Sequence, residues 1–229
     1  MQIIPVIDLM GGLVVRARLG ERASYAPLAT PLAATSAPLD VVAGLLALHP
    51  FKILYVADLD AIAETGDHAG VLAGLATAFP GLRFWVDNGV ADLARAEAWL
   101  AGHDGDLVIG SESQRDADLV ERLRGNARII LSLDFRGEAF QGPPELLARP
   151  GLWPQRVIAM TLARVGSDAG PDMARLAGVV AQAGDRKVFA AGGLRGAAVV
   201  RALAAGGVAG VLVASALHDG RLGRVEMGG

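Results

Sequence analysis

Cysteine is absent from the 229 residues, which excludes disulfides, thiolate nucleophiles and every metal site that uses a cysteine ligand. Histidine is scarce: no two of the four lie within one helical turn, so the sequence holds no local histidine pair for zinc. Positive and negative charges are nearly balanced, since 21 Lys+Arg against 24 Asp+Glu leave a net charge of −3. That balance argues against nucleic acid or an anionic membrane surface as a partner.

A long hydrophobic run is missing as well. The uncharged stretch Ala202–Leu217 is shorter than the roughly 20 residues of a membrane helix and is rich in glycine and alanine. The first nine residues have the pattern of a strand and lack the basic segment of a secretory signal. We therefore expect a cytoplasmic protein without membrane contact, and the length with 52% hydrophobic residues fits a single domain over 1–229.

Short apolar runs alternate with longer amphipathic ones along the whole chain. The runs lack strict alternation, which is typical of parallel strands covered on both faces. Eight strands are predicted: Ile3–Ile7, Ile53–Ala57, Arg83–Val86, Leu107–Ile109, Ile129–Leu133, Val157–Met160, Val188–Ala190 and Val211–Val213. Helices are predicted between them: Leu39–Leu48, Ala69–Ala78, Leu93–Leu100, Ala117–Leu123, Asp172–Ala183 and Ala197–Ala204.

Eight strands alternating with helices predict an α/β fold, a (β/α)8 TIM barrel, which typically needs about 250 residues. The small shortfall has two locations. After the fifth strand only Pro144–Ala148 has a helical pattern among several prolines, and the chain ends soon after the eighth strand. We expect shortened fifth and eighth helices, and apolar surface near strands eight and one that a second copy of the chain covers in a homo-oligomer.

An internal repeat supports the barrel over an open doubly wound sheet. Three pairs of segments share an offset of 104 residues (190 minus 86): Val86–Val90 with Ala190–Leu194, Leu107–Ser111 with Val211–Ser215, and Ile53–Val56 with Val157–Met160. The first strand matches the fifth at a larger offset, which aligns Asp8 with Asp134. The pattern predicts two (βα)4 half-barrels, about 1–115 and 116–229.

Asp8 and Asp134 each follow a buried apolar strand, at the end that opens onto the catalytic face of a parallel barrel. Partial desolvation there raises the pKa of a carboxyl towards the range of a general base. One such aspartate could equally cap a helix, but two at matching positions of a repeat favour catalysis.

Glycine-rich loops follow the other strands. Gly192, Gly193, Ala214 and Ser215 follow the seventh and eighth strands, the usual phosphate site of such barrels. The repeat then predicts a second phosphate site at Gly89, Gly110 and Ser111. Two such sites across one mouth would suit an elongated substrate with a phosphate at each end.

Other candidates surround the same mouth. In the first loop Arg16, Arg18 and Arg22 could clamp an anion, although loop arginines are usually solvated. Asp58, after the second strand, could contact a ligand or cap the next segment. Tyr55 could point into the barrel with its hydroxyl towards the site.

These residues resemble the HisA/HisF family of histidine biosynthesis, and the HisA branch more closely. The resemblance covers nearly the whole chain and is carried by Ile4–Leu9, Gly12–Arg16, Val56–Asp60, Val108–Ser111, Leu133–Asp134, Gly192–Gly193 and Ala214–Leu217. It implies an aldose–ketose (Amadori) isomerase of a phosphorylated ribosyl substrate, without metal or organic cofactor. Asp8 would be the general base and Asp134 a supporting or acidic carboxyl.

The sequence departs from the family pattern at the site itself. Where the family has the aspartate of its Arg-Asp-Gly-Thr run, the expected general acid, this chain has Val165, with Asp168 three positions on. Met160 stands at a family threonine, with Thr161 beside it as the substitute contact. Asp87-Asn88-Gly89 replaces a triple glycine. Two alternatives therefore remain: a HisA-like paralog of one-carbon cofactor (tetrahydromethanopterin or methanofuran) biosynthesis, or a non-catalytic barrel that binds a phosphorylated metabolite.

Overall fold

The computed structural model describes residues 1–17, 21–164, 170–194 and 196–223. Eight parallel strands in these residues form a closed ring: β1 Gln2–Met10, β2 Ile53–Asp58, β3 Arg83–Asp87, β4 Asp106–Gly110, β5 Ile129–Arg136, β6 Arg156–Thr161, β7 Lys187–Ala191 and β8 Gly210–Val213. The ring closes where β8 pairs with β1, from Gln2 beside Gly210 to Pro5 beside Val213. The predicted (β/α)8 barrel is confirmed.

Helices connect successive strands. They are α1 Pro38–Leu48, α2 Leu59–Ile62, α3 Ala69–Ala78, α4 Leu93–Gly102, α5 Asp118–Leu123, α6 Pro144–Ala148, α7 Met173–Ala183, α8 Ala197–Ala205 and α9 Ser215–His218. The helices after β5 and β8 have only five and four residues, so the predicted shortening is confirmed. None of the helices in the described ranges is long and apolar enough to cross a membrane.

Short strands lie in the loops at the carboxyl ends of β1 and β5. The strand Leu13–Arg16 pairs antiparallel with β1, and Ala26–Pro27 pairs antiparallel with Leu13–Arg16. In the loop after β5, Ala139–Gln141 pairs antiparallel with β5. Single 3-10 turns complete the loops at Arg22–Ser24, Ser111–Ser113, Pro150–Leu152 and Leu162–Arg164.

The strands are apolar throughout because both of their faces are covered. Outward side chains pack against the helices in one large cluster, and inward side chains form a second cluster inside the ring. Each strand contributes one side chain to the inner cluster at a similar height: Ile4, Tyr55, Trp85, Val108, Ile130, Ile158, Phe189 and Leu212. The ring is therefore a packed core, and a ligand can enter only at its ends.

An ion-pair cluster lies at the amino-terminal end of the ring. Asp106 is fully buried and accepts hydrogen bonds from Arg83 at 2.6 and 2.7 Å and from Arg156 at 3.0 and 3.1 Å. Burial would raise the pKa of Asp106, but the two guanidinium groups lower it overall. The Arg156 guanidinium also lies 5.3 Å from the centre of the Trp85 ring.

The strand register corrects one part of the predicted repeat. Val6 pairs with Tyr55 in the first half, and its counterpart Ser132 pairs with Ile158 in the second. The offset between β2 and β6 is therefore 103 residues (158 minus 55), whereas the sequence comparison aligned these strands at 104. A slip of one residue turns every side chain of a strand to its other face, so it decides which residues of β6 face the interior.

A second correction concerns the expected apolar surface near strands eight and one. The outward residues Val211 and Val213 of β8 and Ile7 of β1 are all at most 2% exposed. Leu217 of α9 and Leu222 beyond it join the same packed cluster. In the described residues, the large exposed hydrophobic side chains are instead scattered: Met1, Leu13, Leu39 and Met173.

Two helix glycines offer a matched test of the packing of the first loop. A Cβ on Gly44 of α1 would lie 2.0 Å from the backbone oxygen of Leu32, whereas a Cβ on Gly74 of α3 meets nothing within 4 Å. Gly44→Ala should destabilise the protein by about 1–3 kcal/mol through steric overlap. Gly74→Ala should stabilise it by about 0.5–1 kcal/mol through helix propensity. Urea unfolding measures both, and equal stabilities of the two variants would contradict this packing.

Candidate active site

A cavity opens at the carboxyl ends of the barrel strands. It is open to solvent at the mouth of the barrel. Its walls combine carboxyl groups, arginines and glycine-rich loops: Asp8, Asp87, Glu112, Asp134, Arg22, Arg136, Arg221, Gly192, Gly193, Ala214 and Ser215 line it together with apolar residues. Most of the predicted site residues therefore share one cavity.

Asp8 lies near the carboxyl end of β1 and faces this cavity. Burial raises its pKa to about 7, and the charge of Arg22 only partly offsets that rise. No residue of the described ranges donates a hydrogen bond to its carboxylate. With a pKa of about 7, Asp8 can exchange its proton near neutral pH. No structural hydrogen bond holds its carboxylate in the described residues, so the group is available to act as a general base.

Asp134, the counterpart of Asp8, is held much more tightly. Its Oδ1 lies 2.7 Å from Ser132 Oγ, and its Oδ2 lies 3.1 Å from Ser111 Oγ and 3.2 Å from the backbone nitrogen of Glu112. Burial raises its pKa to about 7 against the hydrogen bond from Ser132, and the nearby Asp87 raises it further. A carboxyl fixed in this way can hold a proton at neutral pH and donate it.

Asp87 is a third cavity carboxyl that the sequence analysis did not single out. It ends β3, its Oδ1 accepts the Gly89 N–H at 3.2 Å, and its Oδ2 accepts the Tyr55 hydroxyl at 3.2 Å. Burial raises its pKa to about 6. The available signal was its position: it stands at the end of an apolar strand, two residues after the inward-facing Trp85.

Gly110 makes room for two of these carboxyl groups. A Cβ there would lie 3.2 Å from Oδ2 of Asp87 and 3.5 Å from Oδ2 of Asp134. A side chain at this position would crowd both carboxyl groups, which accounts for the glycine at position 110.

Tyr55 points inward, with its hydroxyl at the floor of the cavity as its position predicted. Burial raises the pKa of its phenol well above the ordinary value, and the charges of Asp87, Asp134 and Asp8 add to that rise. Tyr55 is therefore neutral and a hydrogen-bond donor at every physiological pH.

Gly192 and Gly193 form the opposite wall, and only glycine fits there. Their φ angles are +100° and +77°, and a Cβ would lie 2.5 Å from the Thr161 oxygen at Gly192 and 2.4 Å from the Gly170 oxygen at Gly193. Ser215 lies beside them, and its hydroxyl has no hydrogen-bond partner among the described residues. This wall presents backbone and hydroxyl groups directly to the cavity.

The other predicted phosphate residues, Gly89, Gly110 and Ser111, are not part of the cavity wall. The Gly89 N–H donates to Asp87, and Ser111 is fully buried against Asp134 and the carbonyl oxygen of Gln141, 2.7 Å away. Two donors of the predicted second phosphate site, the Gly89 N–H and the Ser111 hydroxyl, thus already contact other groups of the protein.

The predicted arginines divide. Arg22 lines the cavity and pairs with Glu112 at 2.7 Å, whereas Arg16 lies outside the wall and pairs with Asp219 at 3.0 Å. Arg18 lies outside the described residues, as do Val165 and Asp168. Two cavity arginines were missed by the sequence analysis, Arg136 at the end of β5 and Arg221 after α9.

Asp58 and Thr161, which the sequence predicts as substrate contacts, are not among the residues that line the cavity. Both occupy outward-facing positions, one residue after Ala57 and Met160 respectively, which point inward. Asp58 is 2% exposed, caps α2 through the Ala61 N–H at 3.1 Å, and lies 2.7 Å from Nδ1 of His68. Its role is therefore structural.

His68 extends this network to the first loop. Its Nε2 accepts the Gly12 N–H at 3.0 Å, so the Nδ1 proton points to Asp58. Asp60 accepts the neighbouring Gly11 N–H at 2.9 Å. The Asp-Leu-Asp segment after β2 thus fixes the turn that carries the chain away from Asp8.

A closed parallel barrel whose mouth gathers carboxyl groups opposite a glycine-lined wall is a small-molecule site of the (β/α)8 class. Within that class the chain belongs to the histidine biosynthesis protein family, whose model matches residues 2–223. The family resemblance inferred from the sequence is confirmed.

Three relatives illustrate the similarity. A phosphoribosyl imidazole-4-carboxamide isomerase of Deinococcus radiodurans is 31% identical over 140 residues, 59% of this chain and 55% of that protein. The phosphoribosyl isomerase A of Streptomyces griseus is 28% identical over 200 residues, 82% and 79% of the two chains. An uncharacterized protein of Methanocaldococcus jannaschii is 29% identical over 138 residues, 59% and 57%. The first and third matches span little more than half of those relatives' length.

The raised pKa of Asp8 predicts a pH-dependent cost to stability. The folded pKa of about 7 exceeds the ordinary 3.8, so Asp8 destabilises the fold increasingly as pH rises from about 4 to 7. Asp8→Asn removes the charge and should raise the melting temperature at pH 8 by about 5 °C. The gain should shrink steadily towards pH 4. A gain that is independent of pH, measured by calorimetry, would contradict the desolvation of Asp8.

Proposed function

We propose that the protein is an isomerase of a phosphorylated, sugar-like substrate, of the aldose–ketose type, with Asp8 as general base. The observation that carries this proposal is Asp8 itself: a desolvated carboxyl with no structural partner, in one cavity with the glycine wall at Gly192 and Gly193. The isomerases among the relatives support the reaction class. The phosphate of the substrate lies against Gly192, Gly193, Ala214 and Ser215.

The proposed reaction needs one base and one acid. The acid protonates the ring oxygen as the C1–O bond breaks, and Asp8 removes the proton from C2 to give an enol. The C2 hydroxyl of the enol then returns a proton to the ionised acid while C1 takes the proton held by Asp8, so both groups regain their starting states. The C2 carbon is oxidised to a ketone while C1 is reduced within the same molecule, so no external electron acceptor is consumed. Asp134 is proposed as the acid because its hydrogen bonds hold it in place and burial keeps its pKa near 7.

Tyr55 and Asp87 complete the proposed machinery as positioning residues. The phenol is neutral, lines the cavity and donates to Asp87. Arg22 reaches the mouth from the first loop and offsets part of the negative charge there. The positive charge of Arg22 reduces the repulsion between the cavity carboxyl groups and a negatively charged substrate.

Exchange of the C2 proton tests the role of Asp8. Wild-type protein in D2O should exchange the C2 hydrogen of the phosphoribosyl imidazole-carboxamide ribotide or of ribose 5-phosphate, followed by proton NMR. Asp8→Asn should lower that rate by about 10²–10⁴-fold, the usual contribution of a general base. The matched control is Asp104→Asn, an exposed aspartate before β4 at the other end of the barrel.

Three outcomes distinguish the alternatives. Equal rates for the wild type and Asp8→Asn reject Asp8 as the base. Exchange of ribose 5-phosphate without turnover of the imidazole ribotide supports a paralog with a different substrate. Binding of both compounds without any exchange supports a non-catalytic metabolite-binding barrel and contradicts the proposed isomerase.

The pH dependence of the rate tests the pairing of Asp8 with Asp134. Asp8 must be ionised and Asp134 protonated, and both pKa values lie at about 7. The rate should therefore peak near pH 7 and fall on both sides. Asp134→Asn should lower the maximum and remove the fall on the alkaline side only. Loss of the acidic limb in that variant would reverse the two roles.

A further inference from the structure

The two halves of the barrel treat their glycine loops differently. In the first half, the Gly89 N–H donates to Asp87, while the Glu112 N–H and the Ser111 hydroxyl contact Asp134. These three donors thus already have carboxylate partners supplied by the chain.

The second half has the same scaffold without those partners. By the 104-residue offset, Gly193 matches Gly89 and Ser215 matches Ser111, but Ala191 stands where the first half has Asp87. Asp8 of β1 lies on the strand next to Ser215, as Asp134 of β5 lies on the strand next to Ser111, yet Asp8 makes no hydrogen bond to Ser215 in the described residues. The donors of the second half therefore face the cavity, whereas those of the first half do not.

Charge adds to this difference. Asp87, Asp134 and Glu112 converge on the first half of the mouth, and the Glu112 charge raises the pKa of both aspartates. Arg22 pairs with Glu112 at 2.7 Å and offsets one of the charges. A phosphate dianion on this side would meet the carboxyl groups of Asp87 and Asp134, to which the Gly89 and Glu112 N–H groups already donate, whereas hydroxyl or amino groups would meet acceptors.

We propose that the cavity takes a substrate with a single phosphate, bound at Gly193 and Ser215, whose other end carries hydroxyl or amino groups that face Asp87 and Asp134. This inference rests on the proposed function and narrows its substrate class. It replaces the doubly phosphorylated substrate that the repeat in the sequence had suggested. Asp87 is the specificity-determining residue. At the matching position of the second half, Ala191 has no carboxyl group, so the donors at Gly193 and Ser215 stay available for a phosphate.

Calorimetric titration of the wild-type protein tests the inference without measuring turnover. Inorganic phosphate should bind with one equivalent per chain. Ribose 5-phosphate should bind at least about tenfold more tightly than ribulose 1,5-bisphosphate, which corresponds to about 1.4 kcal/mol. Asp87→Gly should improve the affinity for the bisphosphate at least about tenfold by freeing the Gly89 N–H, while Asp104→Asn should change neither affinity.

The failures are distinguishable. Two phosphate equivalents per chain, or a bisphosphate that binds the wild type as tightly as the monophosphate, overturns the single-phosphate inference and leaves the proposed isomerase intact. Absence of phosphate binding to the folded wild type overturns the glycine cradle and the proposed function with it. If Asp87→Gly does not fold, Asp87→Asn, which keeps the side-chain volume and removes the charge, should show a smaller gain for the bisphosphate, because repulsion falls while the amide oxygen still accepts the Gly89 N–H. An unchanged affinity in a folded Asp87 variant overturns the assigned role of that residue.

Discussion

Desolvation of three carboxyl groups at one end of a closed ring is the constraint on which the site depends. Alternate residues of a parallel barrel strand point inward, so Asp8, Asp87 and Asp134, at the ends of β1, β3 and β5, must share one cavity. Protein atoms replace much of their water, and the cavity supplies too little positive charge to compensate. Their pKa values therefore rise to about 6 or 7, where a carboxyl can both accept and donate a proton.

The two half-barrels share a scaffold but differ in the residues at the cavity, so the two sides of the mouth are chemically different. The glycine loops of the first half contact the carboxyl groups of Asp87 and Asp134, whereas Gly193 and Ser215 of the second half face the cavity. An asymmetric mouth orients a substrate that has one anionic end, which a symmetrical mouth would not do. The first loop adds Arg22 on the acidic side, where its charge moderates the repulsion among the acids.

The sequence was sufficient for the barrel, for the shortened helices, and for the position of Asp8, Asp134, Gly192 and Gly193 in one cavity, because each residue follows or ends an apolar run. It was insufficient wherever one residue of register mattered. Asp58 and Thr161 stand one position beyond inward-facing residues, and both turn away from the cavity. The sequence comparison showed only that Asp87 stands at a glycine position of the family. Its role in the cavity could not be predicted, because its contacts to Tyr55 and Gly89 depend on tertiary packing.

Carbon-13 NMR of the aspartate side-chain carboxyl groups, titrated from pH 3 to pH 9 with Asp8→Asn to assign the signal, measures the central claim directly. The account predicts that Asp8 titrates at a pKa of about 7. A midpoint near the ordinary value of 3.8 would show a hydrated carboxylate and contradict the account of the site.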